Sequence, residues 1–531
     1  MVITMSKVRS LILLTSLSLS SSLWAENYLD TQPDLNDNPS QLQAIPLLQS
    51  LKNINQKQAF QAPFIHDLNN RYKVRTLFVE TRDLPMVDIQ LTFNAGSARD
   101  QEIAKGLFGL SSTAAKLMRE GTDKYTAAQV ASVFDATGAQ FSVQAYRDMF
   151  VVRLRTLSDP KKMEPALAMM MEVLKNATFK PSSIQLALSN TQVGQKQLQE
   201  NPSKLMDIRF YRALYGQHPY AEPITGTIGS TKKITADLLK KFRDQFLVAQ
   251  NMNIAITGKL SPKQALELSE RIAGNLPQGQ KAVALAEPEE KSGFDIVHLP
   301  YNSSQAHVTF GHLGPNRFTK DRLALEVANR MFGGSGSGFN AVLMQELRVK
   351  RGYTYGAYST FSFSQAPGIF SFRYSTRQDQ LLDSIQVAHQ AFINFVNQPI
   401  DTKRLEETKA GMLRAFPNNY SSNATINAQL GTMGFYAEQA DYLSRYPERL
   451  AKITATDVQN AVRKHLHPER LTLVVVSQEL NKETLKLRLE QNLSDPSKPL
   501  PNTIPIPKAY PQKPAEADEP VEIPVDTPAS I

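Results

Sequence analysis

The chain has 531 residues, of which 41% are hydrophobic, so it can bury two or more cores, and its formal net charge is +9. It contains no cysteine, which excludes disulfide bonds, a thiol nucleophile and a zinc site built on cysteine. Its lysines and arginines are scattered and mixed with acidic residues, which is typical of a solvated surface and argues against nucleic-acid binding.

The first 25 residues are predicted to be a signal peptide. Lys7 and Arg9 precede an apolar, serine-rich run, and Ala25 stands at a suitable cleavage point. The run is too short and too rich in serine for a stable membrane span. We therefore expect a periplasmic protein with no membrane span after removal of the signal peptide. Residues 26–70 are polar and rich in Asn, Gln and Pro, and we interpret them as an N-terminal arm.

Residues 71–275 alternate between strand and helix patterns. Two runs of alternating apolar residues, separated by Arg82 to Pro85, predict a pair of strands. A helix between Gly106 and Gly121 follows, with apolar residues along one face. Later patterns predict a helix from Ala127, the strands QFSVQAY and MFVVRLRT, a helix from Met163 to Leu174, two polar helical stretches, a helix from Ala236 to Phe246, and the strand MNIAITG.

This order of elements recurs after a linker at residues 276–292 that is rich in Pro, Ala and Glu. The stretch from Ile234 reads as a helix followed by a strand, and the stretch from Ile453 has the same pattern. We therefore predict an α+β protein with two homologous domains, at residues 71–275 and 293–490. Each would be a mostly antiparallel sheet with helices packed on one face. Residues 491–531 form a Pro-rich tail, which we expect to be extended and disordered, or bound to a partner.

The most informative stretch runs from Met331 to Thr360. A glycine-rich turn opens a helix with apolar residues at helical spacing, Gly352 ends the helix, and an aromatic-rich strand follows, with Tyr355 early on it. The glycines do not form a Walker loop, because no Lys-Ser or Lys-Thr pair follows them. On the residues alone, the favoured interpretation is a glycine-rich turn between packed elements, with an exposed arginine and a half-buried tyrosine.

The segment LRVKRGYTY resembles the second-half signature of the M16 metallopeptidase family, which includes pitrilysin, insulin-degrading enzyme and mitochondrial processing peptidase. Arg348 lies seven positions before Tyr355, the spacing of the family's Arg/Tyr pair. Three further features resemble M16 members. They are the two-fold repeat of elements, the sequence HPY at His218, and the opening strand that runs from Leu84-Pro85 to the sequence AGS at Ala95. The resemblance therefore covers roughly residues 70–480. It implies a catalytic role for Arg348 and Tyr355. It also implies that Gly333, Gly334 and Ser335 contact the substrate.

The zinc motif of a catalytic M16 half is missing. That motif is H-x-x-E-H on the early helix, with a further glutamate some seventy to eighty residues later. The helix between Gly106 and Gly121 has no histidine, and Glu120 is its only carboxylate. No Asp or Glu occurs from Val173 to Gln199, and none of the eight histidines of the chain stands in an H-E-x-x-H or H-x-x-E-H setting.

The resemblance and the missing motif together favour a periplasmic subunit that binds no zinc itself. It would supply Arg348 and Tyr355 to a zinc-bearing M16 partner that hydrolyses peptides or unfolded polypeptides. In such proteins an extended substrate can add along a sheet edge. The first alternative is a non-enzymatic peptide-binding or structural protein, similar to the respiratory-complex core subunits that resemble this family. The second is a zinc enzyme with an unrecognised site.

Overall fold

The computed structural model describes residues 62–495, so the predicted signal peptide, most of the arm and most of the Pro-rich tail lie outside it. Within these residues, eleven strands form two sheets. The first sheet contains β1 (His66–Leu68), β2 (Thr76–Glu80), β3 (Met86–Phe93), β4 (Gln140–Ala145), β5 (Phe150–Leu157) and β6 (Met252–Gly258). The second contains β7 (Asp295–Pro300), β8 (Gln305–Leu313), β9 (Ala357–Phe361), β10 (Ile369–Arg377) and β11 (Thr472–Ser477).

The α-helices lie between and after these strands. They are α1 (Asp100–Ile103), α2 (Leu110–Leu117), α3 (Ala127–Thr137), α4 (Pro160–Asn176), α5 (Pro181–Gln199), α6 (Pro202–Tyr215), α7 (Ile228–Thr231), α8 (Ala236–Phe246), α9 (Pro262–Asn275), α10 (Arg322–Phe332), α11 (Leu381–Asn397), α12 (Thr402–Ala415), α13 (Asn423–Phe435), α14 (Tyr446–Lys452), α15 (Ala455–His465) and α16 (Lys482–Ser494). We call the part from β1 to α9 the first half and the part from β7 to α16 the second half. Among residues 62–495, no helix combines the length and the apolar character that crossing a membrane requires.

The two sheets repeat one topology. The strand order is β1-β2-β6-β3-β5-β4 in the first sheet and β7-β11-β8-β10-β9 in the second. In both sheets the only parallel pair among the described strands joins the first strand of the repeat to the last, as β2 with β6 and β7 with β11. The helix and strand predicted from Ile234 and from Ile453 occupy equivalent places, as α8 with β6 and α15 with β11. The α+β fold class with two homologous domains is confirmed.

The predicted pairing of the first two strands is wrong. β2 and β3 both form where expected, on either side of Arg82 to Pro85, but β6 lies between them and hydrogen-bonds to both. A strand from the end of the first half is thus inserted into the sheet, which no local pattern reveals. The structure also places β1, a short edge strand, within the segment interpreted as an arm.

Each sheet packs helices of its own half on one face and one helix of the other half on the opposite face. On β11, Leu473 and Val475 face the core of the second half, whereas Val474 and Val476 contact α6 of the first half. Since side chains alternate along a strand, a strand covered on both faces is apolar at consecutive positions, as Leu473 to Val476 are in TLVVVS. On the first sheet, Leu77 and Val79 pack with residues of α13.

Glycines let α13 approach the first sheet closely. A Cβ atom on Gly431 would lie 1.9 Å from Gln90 Nε2, and one on Gly434 would lie 2.4 Å from Asn253 Nδ2. The close approach brings polar groups together, because Asn253 Nδ2 donates to the carbonyl of Gly431 at 3.2 Å. The two halves are therefore joined by reciprocal helix-on-sheet contacts.

A buried carboxylate strengthens this junction. Asp148, in the turn between β4 and β5, is 5% exposed and accepts hydrogen bonds from groups of both halves. Its Oδ1 accepts from the Tyr220 hydroxyl of the first half. Its Oδ2 accepts from the backbone N–H of Gln365 at 3.0 Å and from the Tyr436 hydroxyl at 3.3 Å, both in the second half.

Candidate functional site

The glycine-rich turn follows directly on α10. The backbone N–H groups of Gly333 and Gly334 both donate to the carbonyl of Asn329, at 3.0 and 2.7 Å, and so close the end of the helix. Gly333 and Gly334 are buried, and Ser335 is exposed. Of the three residues expected to contact substrate, only Ser335 therefore lies open to solvent.

Close backbone contacts explain the two buried glycines. A Cβ atom on Gly333 would lie 2.9 Å from the backbone nitrogen of Ser359 on β9. A Cβ atom on Gly334 would lie 3.0 Å from Cα of Arg330. Backbone atoms cannot move aside as a flexible side chain can, so any larger residue at either position would displace the turn.

The turn and the segment after it cover the outer edge of β9. This strand is at the edge of the second sheet, where an extended peptide could in principle add. The N–H group of Ser359 donates to the carbonyl of Gly333 at 2.9 Å, and that of Ala357 donates to Met344 Sδ at 3.3 Å. Strand addition is therefore blocked at this edge, the one beside Tyr355.

The predicted helix after the turn forms largely as a π-helix, Met344–Val349. Its i+5 hydrogen bonds include that from the N–H of Lys350 to the carbonyl of Gln345, at 3.0 Å. A π-helix is rare, is found frequently at functional sites and changes the direction of the side chains after it. The residue pattern predicts a helix here but does not distinguish the π form.

Arg348 lies in the last turn of this π-helix and is half-buried. Its Nη1 donates to the carbonyl of Tyr355 at 2.5 Å, and its Cζ lies 4.8 Å from the centre of the Phe339 ring. The structure thus brings the Arg348 guanidinium to the backbone of Tyr355. The contact with Phe339 adds a cation–π interaction that holds the guanidinium in place.

Tyr355 was expected early on the aromatic-rich strand. It lies instead in a bend, two residues before β9 begins. Its side chain is 83% exposed, and its hydroxyl has no hydrogen-bond partner among residues 62–495. Tyr353, by contrast, is 4% exposed and packs in the core of the second half. The bend therefore separates the two tyrosines into a buried and an exposed side chain.

Large exposed apolar groups surround the pair. Phe339, Val349 and Tyr358 are 55%, 46% and 57% exposed, and we call these three residues, together with Arg348 and Tyr355, the Arg/Tyr surface. Clustered exposed aromatic residues beside an arginine are typical of protein or peptide contact sites. The sequence singles out only Arg348 and Tyr355, because the other members of this surface belong to no motif.

The two segments that would carry zinc ligands are held together by a lysine. Lys116 on α2 donates through Nζ to Thr191 Oγ1 on α5, at 2.9 Å. Burial lowers the pKa of the Lys116 ammonium. Within residues 62–495, no group of three or more His, Cys, Asp and Glu side chains could hold a metal ion. The sequence gives no signal for the role of Lys116, because lysine does not belong to a zinc-ligand motif.

Asp100, a buried carboxylate that precedes α2, stabilises the fold. Asp100 accepts hydrogen bonds from the backbone N–H groups of Gly109, Leu110 and Ser111, at 2.7, 2.9 and 3.0 Å. It thereby satisfies donors at the start of α2 that have no partner within the helix. Burial raises the pKa of Asp100 to about 7.

Two of the histidines make hydrogen bonds to protein groups. His218 accepts from the N–H of Tyr220 through Nδ1 at 3.2 Å, and its Nε2 lies 2.9 Å from the carbonyl of Ala286, so it fixes the loop after α6. His465 Nε2 lies 2.7 Å from the carboxylate of Asp321.

Known proteins place this architecture in a family. A crystal structure of a peptidase M16 inactive domain from Pseudomonas fluorescens covers 78% of this chain and 98% of its own length, with 32% sequence identity and a TM-score of 0.74. The chain belongs to the M16 family. The family model described as Insulinase (Peptidase family M16) matches residues 75–228, and the model described as Peptidase M16 inactive domain matches residues 233–412.

Two further relatives cover most of this M16 chain. The non-peptidase homolog YmxG of Helicobacter pylori is 22% identical over 419 residues, which are 78% of this chain and 94% of that protein. A chain in a structure of complex III2 from Candida albicans has the same fold, with a TM-score of 0.65 at 13% identity over 81% of this chain and all of its own length. The matches support an M16-like chain of the inactive, non-peptidase type.

Proposed function

We propose that this M16 chain is a periplasmic subunit that works beside a zinc-bearing M16 partner and contributes Arg348 and Tyr355 to peptide hydrolysis. The observation that carries the proposal is the geometry of the pair. Arg348 is fixed against the carbonyl of Tyr355 and the ring of Phe339, while the Tyr355 phenol stands 83% exposed and its hydroxyl bonds to none of the described residues. A donor so placed is available to a group outside the described part of the chain.

The chemistry required of such a pair is stabilisation of an oxyanion. When water attacks a peptide carbonyl, negative charge develops on the carbonyl oxygen, and fixed donors lower the energy of that state. The Tyr355 hydroxyl and the guanidinium N–H groups of Arg348 that do not bond to Tyr355 are suitable donors. Zinc on the partner would supply the activated water, while in this chain Lys116 of α2 donates to Thr191 of α5.

The exposed apolar residues around Arg348 and Tyr355 support the proposal of a partner chain. Phe339, Val349 and Tyr358 would remain in contact with water unless another chain or a substrate covers them. We propose that the partner's zinc-bearing half and the bound peptide cover this surface together. The peptide would contact Ser335 at the tip of the glycine-rich turn, while Gly333 and Gly334 hold the turn against α10 and β9.

A non-enzymatic role is the second candidate. The similarity to a protein named as a non-peptidase homolog, and the fold shared with a chain of complex III2, favour a structural or peptide-binding module. In that case the Arg/Tyr surface would bind a partner or peptide without any hydrolysis.

The catalytic and the non-enzymatic candidate functions predict different effects of removing the Tyr355 hydroxyl. The chain is tagged in its native cell, co-purifying proteins are identified, and the complex is reconstituted with any zinc-bearing M16 homologue recovered. Tyr355→Phe removes one oxyanion donor, which typically lowers kcat about 10² to 10³-fold. We expect the lower end, with little change in KM, because the charge develops only in the transition state.

Tyr358→Phe is the matched control, since Tyr358 is exposed on the same surface but points from β9 rather than from the bend. It should leave kcat unchanged. Full activity of the Tyr355→Phe complex would refute the catalytic role. Recovery of no M16 homologue would favour the non-enzymatic candidate.

A further inference from the structure

An arginine-lined recess lies beside the glycine-rich turn. It has a volume of about 350 Å³ and lies between the turn and one face of α12. Arg330 comes from α10, and Arg404 and Arg414 come from α12. Glu407 is the only acidic residue in its lining, so the recess carries an excess of positive charge.

The charges that line the recess are not neutralised within the described chain. Elsewhere arginines usually have acidic partners, as Arg322 does in its 2.6 Å contact with Glu438. Among residues 62–495, Arg330, Arg404 and Arg414 form no ion pair within 4.0 Å, and neither does Glu407. An unpaired group of arginines around a concave surface attracts anions, because each guanidinium offers several N–H donors in a planar fork.

Two glycines keep the recess open. Gly336, at φ +79°, lets Arg330 Nη2 donate to its carbonyl at 3.2 Å, and a Cβ atom there would lie 2.4 Å from the same nitrogen. Gly411 stands inside α12, where glycine costs about 1 kcal/mol relative to alanine. The nearest atom that a Cβ on Gly411 would meet is Arg414 Nη2, at 3.9 Å, so packing does not require glycine. The missing side chain instead leaves space in front of Arg414.

The recess adjoins the Arg/Tyr surface. Its wall includes Asn340, the neighbour of Phe339, and the Phe339 ring contacts Arg348. Gln345 Nε2 donates to the carbonyl of Phe339 at 2.6 Å and so ties this wall to the π-helix. A peptide lying across Phe339 would therefore pass from the Arg348 and Tyr355 donors to the three arginines.

We infer that this recess binds the carboxylate side chains of an acidic peptide segment, so that acidic peptides are the preferred substrate class. That a peptide binds here rests on the proposed function. That the peptide is acidic rests only on the arginines of the recess. A carboxylate fits the guanidinium fork with two parallel hydrogen bonds, and the volume of the recess accommodates an aspartate or glutamate side chain.

Binding to this chain alone tests the inference without any catalysis. A short fluorescent peptide rich in glutamate is compared with the same peptide carrying glutamine, at low and at physiological salt. At low salt we expect the acidic peptide to bind at least about tenfold more tightly, with the difference shrinking as salt screens the charges. The double variant Arg404→Gln with Arg414→Gln should reduce this preference to about twofold or less.

Arg463→Gln is the matched control, because Arg463 is an exposed arginine of the same half whose side chain donates only to the carbonyl of Asn397 among the described residues. It should retain the preference. Equal binding of the two peptides, or an Arg463→Gln effect as large as that of the double variant, would overturn the inference. Inorganic phosphate is the competitor in a further arm, and phosphate binding without a preference for the acidic peptide would also overturn it.

Failure of the recess and failure of the proposed function give different results. Tyr355→Phe is measured as kcat of the reconstituted complex, whereas the two peptides are compared by their binding to the isolated chain, and Tyr355 does not line the recess. If the isolated chain prefers the acidic peptide while Tyr355→Phe leaves kcat of the reconstituted complex unchanged, the inference about the recess is supported and the catalytic role is refuted. If Tyr355→Phe lowers kcat while the two peptides bind equally, the reverse holds.

Discussion

Replacing Asp148 by alanine tests how the two halves are joined. The buried carboxylate accepts hydrogen bonds from Tyr220, Gln365 and Tyr436, so the substitution leaves two phenol groups and one backbone N–H without their acceptor. Each buried donor that loses its partner costs roughly 1–3 kcal/mol. Water entering the space left by the side chain would offset part of this cost. We therefore expect the free energy of unfolding to fall by about 3–5 kcal/mol, the range for breaking a buried charged network.

The assay is urea unfolding of the chain at neutral pH, followed by circular dichroism and by tyrosine fluorescence. Tyr436→Phe removes only the longest of the three hydrogen bonds and should cost about 1 kcal/mol. Because Gln365 and Tyr436 belong to the second half, Asp148→Ala should also weaken the coupling of the halves. The two probes would then report transitions at different urea concentrations.

Asp159→Ala is the control for loss of an aspartate as such. Asp159 caps α4 by accepting from the N–H of Lys161 at 3.0 Å, and its loss should cost about 1 kcal/mol without uncoupling the halves. The reasoning is wrong if Asp148→Ala costs less than Asp159→Ala, or if Tyr436→Phe costs as much as Asp148→Ala.

Three further predictions follow from single sites. The dialysed chain should contain no stoichiometric zinc, because the two expected ligand segments are joined by Lys116, and metal analysis giving about one zinc per chain would contradict this. Gly333→Ala should lower the free energy of unfolding by about 1–3 kcal/mol, because its Cβ would meet the backbone of β9, whereas Gly194→Ala inside α5, with open space around it, should raise it by about 0.5–1 kcal/mol. Burial and the nearby His465, His467 and Arg470 lower the pKa of His312 from 6.5 to about 4, so between these values the unfolded chain binds a proton that the folded chain does not. The free energy of unfolding should therefore fall as the pH drops from about 6.5 to 4, by up to about 3 kcal/mol, and urea titrations of His312→Gln should show a smaller fall.

Part of the candidate site could be predicted from the sequence because a motif carries it. The spacing between Arg348 and Tyr355 and the glycine turn before them are local, and the structure places Arg348 against the Tyr355 backbone. The exposed side chains around the pair could not be predicted, because exposure depends on the bend before β9 and on the π-helix. Tyr353 and Tyr358 illustrate this, since Tyr353 is buried and Tyr358 is exposed although both are tyrosines close to Tyr355 in the sequence.

The contact between Lys116 and Thr191 shows the same limit for the missing metal site. The lack of histidines in the first ligand segment and of acidic residues in the second is a property of the sequence alone. The contact between Lys116 and Thr191 joins side chains 75 residues apart, and it depends on how α2 packs against α5.

The sequence by itself determined the local elements, the repeat and the missing ligands. The helix Ala236–Phe246 and the strand Met252–Gly258 have the predicted bounds, because apolar spacing and capping act over a few residues. Only the tertiary structure decided that β6 enters between β2 and β3, and that α6 and α13 each cover the sheet of the other half. The physical reason is that these contacts join residues far apart in the chain. A helix such as α13, which approaches the sheet through Gly431 and Gly434, shows no strong apolar stripe that would predict its burial.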